Sequence, residues 1–265
     1  MCAMLNSRRR IMSNNKIDPD AAAFIAKGIT NAEQKKAVNY LCIALKKANL
    51  WGKMVAIYPF VGGTAALHAW NLRNLSAHNI TWQTSQNDTI HNATGVTPNT
   101  SAANLNFNTD AIPDSASLSG RFHLSYYVSA GSVVNNVYSF APGWVASIVC
   151  LEIGRLDGRL IFRAGGTNNR VRASTSIVTG LFVAGVEDRV ASLTVNNTLL
   201  GMVYQNTYPQ LDNISLQMNS RGGGLTAVNN NQYSFCSIGD ALSDGEKTTL
   251  YNIVQQFQTM LGRAV

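Results

Sequence analysis

From residue 54 onward, short runs rich in Val, Ile, Phe and Tyr alternate with clusters of Gly, Asn, Ser and Pro. Runs of that length and composition, separated by turn formers, read as strands. They predict strands at 55–61, 67–72, 80–83, 105–107, 122–129, 147–153, 159–163, 171–174, 181–186, 192–195, 199–203, 214–218 and 233–238. Asp157-Gly158 and Asn196-Asn197 sit between adjacent runs and predict tight hairpins, because Asn, Asp and Gly tolerate positive φ. The polar stretch 84–103 reads as a long loop. About a dozen short strands of this kind predict a β-sandwich.

At both ends the period changes to three and four. Asp18-Pro19 opens a short helix that Gly28 stops. Thr30 with Glu33 three residues on reads as a capping box for a second helix. Its apolar face is Val38, Leu41, Leu45 and Ala48, and Lys46 and Lys47 suit its C-terminal dipole. Ser243 and Glu246 form another capping box. Leu250, Ile253, Val254, Phe257 and Leu261 then make a buried stripe, ended by Gly262 and Arg263.

Composition agrees with a turn-rich β body. The chain has 265 residues, 46% of them hydrophobic, and only 13% charged. Asn, Ser, Thr and Gly replace the missing charges, and their short polar groups bond locally to backbone. The net charge of +7 is carried wholly by residues 1–53, where Arg8, Arg9, Arg10 and seven lysines face only Asp18, Asp20 and Glu33. Residues 54–265 are neutral. This division predicts a basic N-terminal arm with helices (1–53) that docks, and a sandwich closed by the C-terminal helix (54–265) that presents. Arg8, Arg9, Arg10, Lys35 and Lys36 are the docking candidates. The alternative is a solvated tail and helix face. Specific nucleic-acid binding is not expected, since the arm lacks interleaved aromatics.

Cys2, Cys42, Cys150 and Cys236 show no metal-ligand spacing and read as reduced thiols. No segment reaches the roughly 18 apolar residues of a bilayer span. The first twelve residues lack the apolar core and cleavage site of a signal peptide.

Two stretches carry a resemblance. One is Trp51-Gly-Lys-Met-Val-Ala-Ile-Tyr-Pro-Phe-Val-Gly-Gly-Thr64, continuing through His68-Ala-Trp-Asn-Leu72. The other is Cys236-Ser-Ile-Gly-Asp-Ala-Leu-Ser-Asp-Gly-Glu246, continuing to Leu261-Gly-Arg263. With the helix at 30–48, they resemble a family of virion-associated structural proteins of bacteriophages and prophages of Bacteroidetes-type hosts. The resemblance implies a concanavalin-like (laminin-G-like) jelly-roll β-sandwich with N-terminal helices and a C-terminal helix. It also implies a place in the virion among other capsid proteins. It covers both ends and leaves out residues 75–178, where a ligand loop is expected to vary. It carries no shared catalytic set.

The expected function is therefore non-enzymatic: a spike or fibre-type virion protein that presents the sandwich to a host-surface glycan, as a homo-oligomer, expected to be a trimer. The alternatives are an internal or cement-type capsid protein, and a glycan-cleaving enzyme. Retaining glycosidase chemistry needs two carboxyls about 5 Å apart. Glu152 and Asp157, five apart on an extended strand, point to opposite faces, and Glu187-Asp188 diverge. Asp240, Asp244 and Glu246 read as helix capping rather than a calcium loop. His68, His78, His91 and His123 show no metal spacing, so neither metal nor cofactor is expected. Gly62-Gly63-Thr64 reads as a structural turn. Trp82, Tyr138 and Trp144, in or near variable turn-rich stretches, are the ligand-binding candidates, because their flat faces suit sugar rings. Trp51 and Trp70 read as core.

Overall fold

The computed structural model describes residues 16–82, 89–98, 105–107, 121–132, 137–142, 151–156, 159–164, 170–204, 216–218 and 230–265. In chain order the helices are α1 (Pro19–Ile25), α2 (Ala32–Lys47), α3 (Ala65–His68) and α4 (Asp244–Met260), with a 3-10 turn at Trp51–Lys53. The strands are β1 (Met54–Tyr58), β2 (Thr89–Asn92), β3 (Gly95–Pro98), β4 (Leu105–Phe107), β5 (Phe122–Ala130), β6 (Val137–Pro142) and β7 (Leu151–Leu156). They continue with β8 (Arg159–Ala164), β9 (Arg170–Ala173), β10 (Gly180–Glu187), β11 (Val190–Val195), β12 (Thr198–Tyr204), β13 (Leu216–Met218) and β14 (Gln232–Gly239).

These strands form a mainly β sandwich of two antiparallel sheets. The larger runs β12-β11-β10-β5-β14-β3-β2, with β1 also paired to β14, and the smaller runs β4-β13-β6-β7-β8-β9. β14 pairs along one edge with β5, and shares its other edge between β1, at Cys236–Gly239, and β3, at Tyr233 alone. The period of two separates two cores. Phe122, Leu124, Tyr126 and Val128 of β5 point inward and meet Leu160, Phe162 and Val171 of the smaller sheet. Tyr127 points outward, with Leu181, Val183 and Phe235, onto the stripes of α1, α2 and α4. β5 and β10 are buried on both faces; β10 is accordingly near-continuously apolar, while β5 carries the buried polar His123 and Ser125 on its outer face. Val38, Leu41, Leu45, Leu250, Val254 and Phe257 all sit in the outer core, so the helical stripes pack as their spacing predicts.

Local punctuation matches in part. Asp18 caps α1 and Ser243 with Glu246 makes the expected capping box. The second helix is capped by Asn31 rather than Thr30: the Asn31 side chain accepts from the Glu33 and Gln34 amides. Asn196 and Asn197 turn the β11–β12 hairpin at φ of 47° and 63°. Asp188-Arg189 makes a second such turn, unforeseen, at 47° and 66°. The Asn196 side chain also ties the turn to Leu181 N and Thr179 O, and Gly180 leaves it the space a Cβ would fill.

Three expectations are corrected. The run 67–72 is not a strand: Thr64 caps α3, and Asn71 then turns the chain by accepting from the Ile57 and Arg73 amides. The stretch 80–83 contributes an isolated bridge at Thr81. The long loop at 84–103 contains the β2–β3 hairpin: β2 is half exposed on the edge of the sheet, while Gly95 and Val96 of β3 are buried beside β14. β6 has no counterpart among the predicted runs. The Asp157-Gly158 turn lies outside the described residues, but β7 and β8 pair across it, with Leu156 opposite Arg159.

Candidate functional site

The sequence-predicted ligand residues are not gathered into one site. Trp82 packs half-buried against the inner core, donates its indole N–H to the Ala65 carbonyl at 2.6 Å, and packs its ring T-shaped with His91. Tyr138 lies on β6 of the smaller sheet. Trp144 lies outside the described residues. Trp51 and Trp70 pack on the outer core and serve as platforms for cations: Lys27 over Trp70, and Lys46 and Arg73 over Trp51.

Much of the N-terminal charge is used internally. Lys46 binds Asp18 and Asp20 at 2.7 and 2.5 Å, and Lys53 binds Glu246 at 2.7 Å. Lys36 pairs with Glu33 on the exposed face of α2. Lys35, on the same helix, is half-buried. Arg8, Arg9 and Arg10 lie outside the described residues. On the acidic side, Asp244 binds Lys247, while Glu187, Asp188 and Asp240 surround Arg121 at 3.5–3.8 Å. Glu187 and Asp188, read as diverging, thus converge on one guanidinium. Among the described residues no group of three metal-ligating side chains is assembled.

A pocket of about 150 Å³ opens where α4 ends against the edge of the larger sheet, lined by Thr94, Ser129, Gln232, Gly262, Arg263, Ala264 and Val265. Gly262, at φ 66°, ends the helix, and the Arg263 amide returns to the Gln258 carbonyl. That reversal drives the Arg263 side chain beneath the sheet. Its five N–H groups have five acceptors: Gln258 Oε1 at 2.9 Å, Phe60 O at 3.0 Å, Ser234 O at 3.2 Å, and Thr94 O and Pro59 O at 3.4 Å. Burial lowers its pKa to about 9, and no carboxylate pairs with it among the described residues. The pocket floor is therefore cationic but offers no spare Arg263 N–H. Its rim is hydroxyl and amide: Ser129 Oγ donates to Gln232 Oε1 at 3.1 Å, and Thr94 Oγ1 to Asn92 Oδ1 at 2.6 Å. Such a rim can exchange hydrogen bonds with a small polyhydroxylated group. Sequence reading took Arg263 only as a helix end; its sole signal there was its place in the Leu261-Gly-Arg263 motif.

Two histidine arrangements stand apart from the pocket rim. His123 on β5 is wholly buried, with Nδ1 on the Asp240 carbonyl at 2.6 Å and Nε2 on Ser237 Oγ at 3.1 Å, and Ser237 meets Ser125 at 2.7 Å. The set has the partners of a hydroxyl nucleophile and base, but all three side chains are at 0% exposure. They close the polar outer face of the sheet. Burial lowers His123 to about 4. His68 and His91 face each other at the β2–β3 hairpin, Nδ1 to Nδ1 at 3.0 Å.

No family model and no curated protein matches the chain. Solved structures do match it in fold. Domain 4 of AbnA, an extracellular arabinanase of Geobacillus stearothermophilus solved with arabinotriose, matches at 14% identity and TM-score 0.54, over 75% of this chain and 98% of that domain. The binding domain of botulinum neurotoxin serotype G matches at 16% and 0.58, over 76% of this chain and 51% of that one. A sialidase of Trypanosoma rangeli, solved with a difluoro-KDN ligand, matches at 12% and 0.56, over 84% and 40%. The chain thus spans about half or less of the toxin domain and the sialidase, and nearly all of the arabinanase domain. The fold is the jelly-roll β-sandwich that the sequence predicts.

Proposed function

We propose that this chain is a glycan-recognising β-sandwich without catalytic activity, and that the pocket at Thr94, Ser129, Gln232 and Arg263 is its sugar site. The observation that carries the reading is the match to almost the whole of a discrete domain solved with an arabinose oligosaccharide. The pocket adds a hydroxyl and amide rim of suitable chemistry, with room for about one ring. The test is a glycan array followed by calorimetry on the full chain. Saturable binding that is lost in the Ser129→Ala, Gln232→Ala double variant is expected. Retained binding in that variant would move the site elsewhere, and no binding to any glycan would sink the reading. Release of reducing ends from bacterial polysaccharide by the purified protein would overturn the non-catalytic part.

The virion setting is part of the same proposal and rests on the resemblance of residues 51–72 and 236–263. In it, the sandwich is displayed on a particle, expected as a trimer, with Arg8, Arg9, Arg10, Lys35 and Lys36 facing other capsid proteins. Antibody labelling of intact particles tests display: an internal, cement-type protein stays unlabelled. Sedimentation showing only monomer across concentrations would remove the trimer.

A further inference from the structure

We propose that the His68–His91 pair is an acid-operated latch that holds the β2–β3 hairpin, and with it the Thr94 wall of the pocket, onto the body of the protein. His68 sits at the end of α3 and is buried; His91 is half-buried on β2. The Gly63 amide donates to His68 Nε2 at 3.3 Å, so the His68 proton resides on Nδ1. Nδ1 then donates across 3.0 Å to His91 Nδ1, which must be unprotonated to accept. The two hydrogen bonds, to Gly63 and to His91, exist together only while both rings are neutral.

A proton added to His91 places two N–H donors face to face. His68 can accept instead only by moving its own proton to Nε2, where the Gly63 N–H already points. One of the two hydrogen bonds must break either way. The Arg263 guanidinium near His68 opposes any new charge; the His68 and Phe60 rings pack T-shaped with centroids 5.7 Å apart, and the His91 and Trp82 rings T-shaped at 4.6 Å. Among the described residues no carboxylate pairs with either imidazole. Burial accordingly lowers both rings below their usual 6.5, His68 to about 3.

The hairpin is also held by Val96 in the inner core, by the register pair Tyr233–Val96, by Trp82 against His91 and by Arg263 on the Thr94 carbonyl at 3.4 Å; the His68–His91 contact is the one among these that a proton can break. An open hairpin takes up a proton near pH 6.5 and the closed one resists it, so the closed state is lost as pH falls below that value.

The test is hydrogen exchange on the full chain from about pH 7.5 to about pH 5, corrected for intrinsic rates, alongside His91→Gln. The amide oxygen introduced by that substitution can still accept from His68 Nδ1 but cannot be protonated. In the wild type, protection of 89–98 should fall by up to about tenfold per pH unit below 6.5 relative to the same segment in His91→Gln, while 122–130 and 232–239, which report global opening, respond equally in both proteins. His91→Gln should flatten the response of 89–98 to that of the core segments. Unchanged wild-type protection of 89–98, or the same response of 89–98 in the wild type and in His91→Gln, would each overturn the latch. Should that variant misfold, the imidazole titration of wild-type His91 by NMR decides: a value below 6.5 is required. None of these readouts involves a glycan, so the latch and the sugar site fail separately.

Discussion

Between the two sheets the core is the richer in aromatics: Tyr58, Phe60, Phe122, Tyr126, Phe162, Phe182 and Tyr233 pack among aliphatic side chains, with Tyr126 stacked on Phe182 at 4.9 Å. Between the larger sheet and the helices it is mainly aliphatic, with Ala21, Ala37, Val38, Leu41, Cys42, Leu45 and Val254 around Phe235 and Phe257. Stacked sheets lie about 10 Å apart, and long flat side chains span that gap. The margins differ too. The helical layer is fastened by ion pairs at Lys46 and Lys53. The sheet edge by the pocket is fastened by the neutral His68–His91 contact and by one buried arginine.

Removing a ring from each layer sharpens this contrast and has the largest effect. Phe257→Ala should cost about 3–5 kcal/mol in urea unfolding. Phe182→Ala should cost a similar amount, since it loses the Tyr126 stack where Phe257 loses its contacts with Phe235 and Arg263. A cost below about 1 kcal/mol for Phe257 would make α4 peripheral. Next, Arg263→Lys should lose about 2–3 kcal/mol despite keeping the charge, since an ammonium cannot reach five acceptors and leaves buried carbonyls unpaired. A neutral result would mean the pocket floor is not held by that guanidinium.

The pH response separates the layers differently. His123 binds a proton near 6.5 when unfolded and only at about 4 when folded, so the unfolded state holds more protons between those values. Global stability should therefore fall with acid through that window, by about 1.4 kcal/mol per pH unit for this one group. His123→Gln should reduce the slope; an unchanged slope assigns it to other groups. The smallest effects lie on the surface. Ser243→Ala removes a cap and should cost about 1 kcal/mol. Lys36→Ala, whose pair with Glu33 leaves the side chains 65% and 62% exposed, should stay within about 0.5 kcal/mol.

The two helical stripes, the caps at Asp18 and Ser243, the sandwich class and most strands from 122 onward were legible in the chain itself. Each depends on interactions a few residues apart: a side chain reaching an amide two or three positions on, or alternation imposed by one buried face. The β2–β3 hairpin was not legible, because its strands are four residues each, β2 lies half exposed on the edge, and β3 reaches the inner core through the Val96 side chain. The run 67–72 misled for the opposite reason: Leu67, Trp70 and Leu72 are apolar, but Thr64 and Asn71 satisfy the backbone locally and leave no ladder to join.

The candidate site was legible least. Periodicity distinguishes buried from exposed positions, but it does not state which distant residues share a neighbourhood. Arg263 reaches the carbonyls of Pro59, Phe60, Thr94 and Ser234, and His68 meets His91 twenty-three residues away. Local hydrogen bonding and burial period, which any segment carries within itself, were determined by the sequence alone. The pocket and the paired imidazoles were decided only when the ends of β5 and β14 and the β2–β3 hairpin met the end of α4, because hydrogen bonds between remote groups exist only once packing sets their distance.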